Sequence, residues 1–145
     1  MPGTRIAAAL SALLVCACAS ASAQMAPLPM ALCAGWQGER VCELMQEDVE
    51  IRVLRCTFPP GVGHEMHFHP PHFGYVLEGN SVMRITTANG VVDRPVRAGT
   101  SFTNDAEIQH AALNVGTETT RYLIIEKKYV DARDAEAVAP GLCAT

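Results

Sequence analysis

The chain has 145 residues, 49% of them hydrophobic, and a formal net charge of −4. This length allows one domain with one hydrophobic core and leaves no room for several. The mildly acidic balance argues against a nucleic-acid partner, because such proteins present a basic surface to the phosphates.

The first 23 residues have the three-part layout of a secretory signal peptide. Arg5 supplies a positive charge, residues 6–19 form an apolar run, and Ala-Ser-Ala at 21–23 forms a cleavage site. A membrane anchor is the weaker interpretation because a spanning helix needs about 20 apolar residues, and lipid attachment at Cys18 is a third. We therefore predict cleavage after Ala23, a periplasmic or secreted protein, and no membrane partner for the mature chain.

Four cysteines follow the predicted cleavage point: Cys33, Cys42, Cys56 and Cys143. An even number in a short exported chain predicts disulfides, and three pairings are possible. The sequence does not choose among them. Cys33 with Cys42 makes the simplest local loop, and the alternative for Cys56, which lies in a strand pattern, is a buried thiol. No cysteine lies in a CxxC pair, so a zinc ribbon is unsupported.

The organisation after residue 23 is predicted in three parts. Residues 24–48 form a leader and first strand region, residues 49–128 form a barrel, and residues 129–145 form a C-terminal tail. Strands are predicted over 49–58, 73–78, 81–87, 100–103, 108–113 and 119–128. A helical pattern occurs only at 132–138. Turn signals recur every ten residues or so, which predicts an all-β sandwich or small barrel.

Two of the turn signals predict hairpins. Gly79-Asn80 separates two alternating apolar segments, and Ala88-Asn89-Gly90 leads into Val91-Val92. Glycine with asparagine is the strongest short hairpin signal, because both residues tolerate positive φ. The sequence therefore predicts that the strands on either side of each turn pair with one another.

All five histidines belong to one metal-ligand pattern: His64, His67, His69, His72 and His110. His67 and His69 are two residues apart on a strand-like segment, so their side chains share one face about 6.6 Å apart. His72 would point to the opposite face of a continuous strand, but Pro70-Pro71 can break the alternation. Imidazole is the commonest side-chain ligand of divalent transition metals, so the pattern predicts a metal site.

These histidines lie in two longer motifs. The first reads Gly61-x5-His67-x-His69-x2-His72-x6-Gly79, and the second reads Gly99-x10-His110-x3-Asn114. They resemble the two signature motifs of the cupin superfamily, G-x5-H-x-H-x3–4-E-x6-G and G-x5-P-x-G-x2-H-x3-N. The resemblance implies a six- to eight-stranded antiparallel jelly-roll barrel, often a homodimer, with a divalent metal inside.

The chain departs from the family pattern in a few positions. His72 stands where the family has glutamate, after a gap of two residues instead of three or four. In the second motif Asp105 and Glu107 replace the usual proline and glycine. Some cupins carry four histidines around the metal, and the chain resembles that subset. The barrel is supported, but an activity that depends on the glutamate is not.

We therefore predict four metal ligands: His67, His69, His72 and His110. Manganese, iron, nickel, copper and zinc all accept imidazole, so the pattern does not name the metal. His64 is predicted to face solvent or to support the ligands from behind. Glu65 shares the phase of His67 and His69 and ranks below His72 as a fourth ligand.

Several residues outside the histidine pattern are also predicted to have particular positions or roles. Asn114 is expected to cap a turn instead of binding metal. Arg52, Arg55 and Arg84 could contact an anionic substrate if they face inward, although exposure is the default for strand arginines. Residues 126–128 read as a solvated strand end. Gly74 and Ala112, in phase with His72 and His110, could leave room beside the metal.

Two functions follow from the predicted site, and the sequence leaves open whether the protein is an enzyme. Four neutral imidazoles leave the charge of the ion uncompensated, which favours an anionic oxygen ligand. The first function is a mononuclear metal-dependent oxygenase or lyase acting on a small oxygen-rich molecule. The second is a non-catalytic periplasmic module that binds a metal or small ligand. A purely structural barrel would not explain why every histidine clusters.

Overall fold

The computed structural model describes residues 27–130 and Cys143, and these residues form mainly β-strands. Two short strands, β1 (Gly35–Trp36) and β2 (Glu39–Arg40), form a small hairpin ahead of the main sheets. The other strands are β3 (Cys42–Glu47), β4 (Ile51–Phe58), β5 (Gly63–His69), β6 (His72–Glu78), β7 (Asn80–Thr87), β8 (Gly90–Arg97), β9 (Ser101–Asn104), β10 (Ile108–Asn114) and β11 (Thr120–Lys127). A 3₁₀ turn, Lys128–Val130, follows β11.

Strands β3 to β11 make two sheets. The four-stranded sheet has the order β5-β10-β7-β8, and the five-stranded sheet has the order β3-β4-β11-β6-β9. Every strand pair is antiparallel. Eight strands, β4 to β11, lie within residues 49–128, which confirms the predicted all-β jelly-roll barrel. β3 adds a ninth strand from residues 24–48, the segment predicted to hold a leader and a first strand region.

The core lies between the two sheets, and its residues come from strands with a two-residue period. In β4 the buried positions alternate through Arg52, Leu54, Cys56 and Phe58, so one face of the strand points inward. Side chains of a strand alternate between the two faces of a sheet, which is why this pattern was readable from sequence. The apolar core also includes Val76, Met83, Val96, Ala112 and Ile124.

One of the two predicted hairpins is confirmed and the other is wrong. β7 and β8 pair across Ala88-Asn89, with Thr87 opposite Gly90. β6 and β7, in contrast, lie in different sheets, so the chain crosses between the sheets at Gly79. Gly79 has a φ of 129°, which only glycine adopts easily. The turn residues specified a sharp reversal, but they did not specify which strand would pair with the next one.

The disulfides join Cys42 to Cys56 and Cys33 to Cys143. Of the three pairings that the sequence left open, the simplest local one, Cys33 with Cys42, does not form, and Cys56 is buried but is not a free thiol. Cys42 and Cys56 face each other directly in the register of β3 and β4, with Cα atoms 4.0 Å apart. This pairing depends on strand register, which a count of residues between cysteines does not show.

Some of the predictions concern residues outside the described part of the chain. These are the signal peptide with its cleavage after Ala23, lipid attachment at Cys18, and the helical pattern at 132–138. Within the described residues, no helix has the length and apolar character that crossing a bilayer requires.

Candidate metal centre

Three histidines from two neighbouring strands converge inside the barrel. β5 carries His67 and His69, β10 carries His110, and the register places His67 directly opposite His110. One ring nitrogen from each lies within 4.8 Å of the other two. His67 is fully buried and His69 nearly so, whereas His110 is half-buried. The structure thus brings together three of the four predicted ligands in a group that could hold one ion.

Hydrogen bonds fix which nitrogen of His67 and His69 faces the centre. Nδ1 of His67 donates to the carbonyl oxygen of Glu65 at 2.6 Å, and Nδ1 of His69 donates to the carboxylate of Glu126 at 2.8 Å. Both Nδ1 atoms carry the proton because both partners are acceptors. Each Nε2 atom therefore presents a lone pair, which is the form that binds a metal.

These two Nε2 atoms lie 3.0 Å apart. With no proton available between them, two lone pairs at this distance repel each other, and a cation between them removes the conflict. For a metal–nitrogen bond of about 2.1 Å, two nitrogen atoms up to about 4.2 Å apart can bind the same ion. The residues present therefore fit a divalent transition metal.

His110 is the third member of the histidine group, and it is the one whose ring nitrogens are not fixed by hydrogen bonds to described residues. Its ring lies 4.7 Å from that of His67 and 5.4 Å from that of His69, measured between ring centroids. Neither ring nitrogen has a hydrogen-bond partner within the part of the chain that the structure describes, and the ring lines a cavity that is described below. His110 is therefore free to turn a nitrogen toward an ion held by the other two.

Burial keeps the histidines neutral, which is the state that binds metal. It lowers the pKa of His110 to about 4 and that of His64 to about 4. It also lowers the pKa of His67, His69 and His72, and the neighbouring histidines lower the values for His67 and His69 further. At neutral pH the ring nitrogens are therefore not blocked by protons taken up from solvent.

Glu126 holds the ring of His69 in place, and its role was missed from the sequence. The residue is fully buried, and its second oxygen accepts a hydrogen bond from Nη1 of Arg52 at 3.0 Å. Burial raises the pKa of Glu126, and the Arg52 guanidinium opposes that rise. The prediction that residues 126–128 form a solvated strand end is wrong, because Lys128 is also buried.

Glu126 belongs to a polar row that runs along the inner face of the five-stranded sheet. Residues in register, one from each strand, form this row: Glu47, Arg52, Glu126, His72 and Asn104. Arg52 bonds Glu47 as well as Glu126, and Lys128 bonds Glu47 at 3.0 Å. The two buried cations and two carboxylates balance, which a buried network requires.

His72 lies in this row and not in the group of three. Its ring is 4.7 Å from that of His69, so Pro70-Pro71 does return the chain to the interior, but from the facing sheet. Nδ1 donates to the carbonyl oxygen of Pro70 at 2.8 Å, and Nε2 accepts from the amide of Asn104 at 3.0 Å. The proposed fourth ligand is therefore close to the centre, with its free lone pair held by Asn104.

His64 and Glu65 lie on opposite faces of β5. His64 is buried, its ring stacks 3.7 Å from that of His67, and Nε2 donates to the carbonyl oxygen of Ala31 at 3.0 Å. The solvent-facing alternative is wrong, and the supporting role is the one that the contacts show. Glu65 is exposed and accepts a bond from the backbone of Gln37, so its side chain lies away from the centre.

A cavity of about 630 Å³ opens beside the histidines. His69, His72 and His110 line it, and much of the remaining wall is apolar, including Phe102 and Tyr122. This volume is typical of pockets for small molecules. Burial raises the pKa of the Tyr122 hydroxyl, so it stays protonated at neutral pH.

The room expected from small residues is only partly present. Ala112 lines the cavity, but the space above Gly74 is filled by the Phe102 ring, which a Cβ atom there would overlap. Asn114 is buried and bonds the backbone of Phe58, Gly116 and Glu118, which confirms its expected role at a turn.

Comparisons with known proteins agree with this architecture. The family model described as the Cupin domain matches residues 54–126. A cupin domain from Bordetella pertussis Tohama I is 19% identical, with a TM-score of 0.57 over 71% of this chain and 98% of that one. A conserved protein with a double-stranded β-helix domain from Klebsiella pneumoniae MGH 78578 is 20% identical, with a TM-score of 0.52 over 63% of this chain and 78% of that one. No curated protein matches the chain.

Proposed function

The chain belongs to the cupin family, and we propose that it is a metal-dependent oxygenase or lyase. It would bind one divalent transition metal and act on a small oxygen-rich molecule. His67, His69 and His110 would hold the ion. The observation that carries the proposal is the pair of Nε2 lone pairs facing each other at 3.0 Å beside a cavity of about 630 Å³. When bound, such an ion supplies Lewis-acid polarisation of an oxygen ligand.

The residues of the chain have distinct parts in this proposal. Glu126 fixes the ring of His69 through Nδ1, so that Nε2 stays directed at the centre. His64 packs against His67 on the side of the N-terminal segment. Phe102 and Tyr122 line the cavity with apolar ring surface, which would contact the body of a bound ligand.

We keep His72 as a proposed fourth ligand. Its Nδ1 proton is fixed by Pro70, so Nε2 is the donor that it would offer to an ion once released from Asn104. The variant His72→Ala should then weaken metal retention roughly as His69→Ala does. Asn104→Ala is the matched control, because it frees Nε2 of His72 without removing the ring. Unchanged retention in His72→Ala would leave a three-histidine site.

The alternative function is a non-catalytic module that binds a metal or a small ligand. The composition of the cavity favours it. No Asp or Glu is among the described residues that line the cavity, and Tyr122 is a weak acid there. An enzyme that moves protons would need His72 or a bound water for that step.

One set of measurements tests the metal site and separates the two functions. The purified protein should contain one divalent transition metal per chain by elemental mass spectrometry. His110→Ala should lose most of it, whereas Gln109→Ala, the neighbouring change on β10, should not, because Gln109 bonds Glu107 instead. Oxygen uptake and product formation are then followed with diketones, catechols and hydroxy acids. Turnover supports the enzyme, and stoichiometric metal without turnover supports the binding module. Metal-free protein that divalent ions do not stabilise refutes both metal-dependent functions.

We propose further that the protein is exported after cleavage behind Ala23. The two disulfides support this, because such bonds persist in oxidising compartments. The intact mass of the protein from a periplasmic fraction tests it. Full-length protein in the cytoplasm would contradict export, and a lipid mass on Cys18 would show the alternative attachment. The homodimer stays a prediction, which sedimentation of the purified protein would test.

A further inference from the structure

Among the described residues, Arg94 is the one charged side chain that lines the cavity when the histidines are counted as neutral. It projects from β8, the edge strand of the four-stranded sheet, where it is exposed, and it lies opposite Met83, which is buried. Residues opposite one another in a sheet share a face, so Arg94 lies on the face that Met83 turns toward the interior. The cavity thus has the histidines in one part of its wall and Arg94 in another.

The charge of Arg94 has no partner among the described residues. The adjacent acid, Asp93, bonds Arg84 through both carboxylate oxygens, at 2.8 and 2.9 Å. The inward-facing Arg52 is likewise taken by Glu47 and Glu126, and Arg55 pairs with Glu43. Among the described arginines that line the cavity or face the interior, Arg94 is therefore the one without an ion pair, and it is not one of the three that the sequence had suggested.

The register separates Arg94 from the histidines along the sheet. Arg94 lies opposite Met83, and Met83 lies opposite Asn114 of β10, four residues along that strand from His110. A molecule that reaches both must therefore extend along the cavity. The wall between them is apolar and includes Ile85 and Ala112, so the middle of such a molecule would be apolar as well.

We propose that Arg94 binds the carboxylate of a small acid whose other end carries an oxygen directed at the metal site. A guanidinium presents a planar pair of donors that matches a carboxylate, and a single positive charge suits a single negative head group. The ligand is therefore an extended monocarboxylate with an apolar body and a second oxygen function. This inference rests on the proposed metal site for the second oxygen only.

The test measures binding of three related probes to the metal-loaded full chain by calorimetry. 4-Hydroxybenzoate carries the carboxylate and the distant oxygen, 4-hydroxybenzamide lacks the charge, and benzoate lacks the distant oxygen. Arg94→Gln should weaken 4-hydroxybenzoate binding tenfold or more, in line with a hydrogen bond to a charged group. The same variant should leave the affinity for 4-hydroxybenzamide unchanged.

Arg97→Gln is the matched control. Arg97 lies on the same strand and is exposed like Arg94, but it does not line the cavity, and it has no ion pair among the described side chains. Its loss removes the same charge from the protein, so it should change binding of the acid less than twofold. Equal losses in the two variants, equal affinity of the acid and the amide, or no binding of any probe at millimolar concentration would each overturn the inference.

The same probes separate this inference from the proposed metal function. If the metal site fails and Arg94 acts as inferred, the acid binds better than its amide, and the distant hydroxyl gives no advantage over benzoate. If the metal site is present and the inference about Arg94 fails, 4-hydroxybenzoate still binds more tightly than benzoate, but it binds no more tightly than 4-hydroxybenzamide. Repeating the titrations after removal of the metal with a chelator checks the assignment.

Discussion

Replacing Glu126 by glutamine should loosen the metal site while preserving the shape of the side chain. The two groups that Glu126 binds, Nδ1–H of His69 and Nη1–H of Arg52, are both donors. A carboxylate accepts from both, but a glutamine amide has one acceptor and one donor. One of the two bonds must therefore be lost, or His69 must move its proton to Nε2 and surrender the lone pair that faces the centre.

The expected size of the effect follows from these contacts. Loss of the group that orients a metal-binding histidine weakens metal affinity about 10- to 100-fold, which is roughly 1.4 to 2.7 kcal/mol. Because Arg52 loses one of its two carboxylates in a fully buried place, unfolding free energy should also fall, by about 3 kcal/mol. Zinc affinity is measured by competition with a chromophoric chelator, and stability by urea unfolding of the metal-free protein.

Glu47→Gln separates the two effects. Glu47 bonds Arg52 and Lys128 at the other end of the polar row, and it does not contact His69. This variant should therefore lose stability to a similar extent and retain zinc affinity within about threefold. Glu126→Gln that is folded by near-ultraviolet circular dichroism and binds zinc as tightly as the parent would refute the reasoning. So would an equal loss of affinity in Glu47→Gln, because the effect would then be one of general stability.

Three further outcomes are expected. The unfolding free energy of the metal-free protein should fall as the pH drops from about 6.5 toward about 4, because buried histidines with a lowered pKa stay neutral in the fold while the unfolded chain takes up protons. The slope is up to about 1.4 kcal/mol per pH unit for each such histidine. Equal urea midpoints at pH 7 and 5 would contradict this expectation. The double variant Cys42→Ala and Cys56→Ala should lower the unfolding free energy by about 3 kcal/mol, because the disulfide closes a loop between two residues 14 apart in sequence. An unchanged thermal midpoint would show that the strand register alone holds the two positions together. Gly74→Ala should cost about 1–3 kcal/mol through overlap with the Phe102 ring, and adding Phe102→Ala should recover part of it; no recovery would place the strain elsewhere.

The sequence was informative where a property depends on residues close together in the chain. The period of β4 and the turn at Ala88-Asn89 were both readable, and so was the shared face of His67 and His69. The pairing of His67 with His110 came from resemblance to a family motif, since nothing in a gap of this length fixes register. Local pattern and recognised motif together therefore predicted the barrel and three converging histidines.

What could not be predicted depends on which strands become neighbours. Gly79 turns the chain sharply, but whether β7 pairs with β6 or crosses to the other sheet is decided by the packing of the whole sandwich. Likewise, Arg52 and Glu126 read as ordinary charges on strands, and only the register of β4 with β11 makes them partners. One local signal was available: Glu126 is in phase with the apolar Ile124, which placed it on the inner face.

The polar row also explains how a carboxylate stays near the histidines although His72 stands where the family motif has glutamate. A carboxylate is still present near the histidines, but it comes from β11 and contacts the ring of His69 instead of the centre. Arg52 offsets its charge, so the row adds little net charge to the cavity. An ion held by neutral imidazoles would then keep its full positive charge, and Arg94 adds another along the same wall. Both the proposed metal and the inferred carboxylate subsite therefore select for the same kind of ligand, an anion with oxygen at each end, and the probes that remove one oxygen at a time test the two contributions separately.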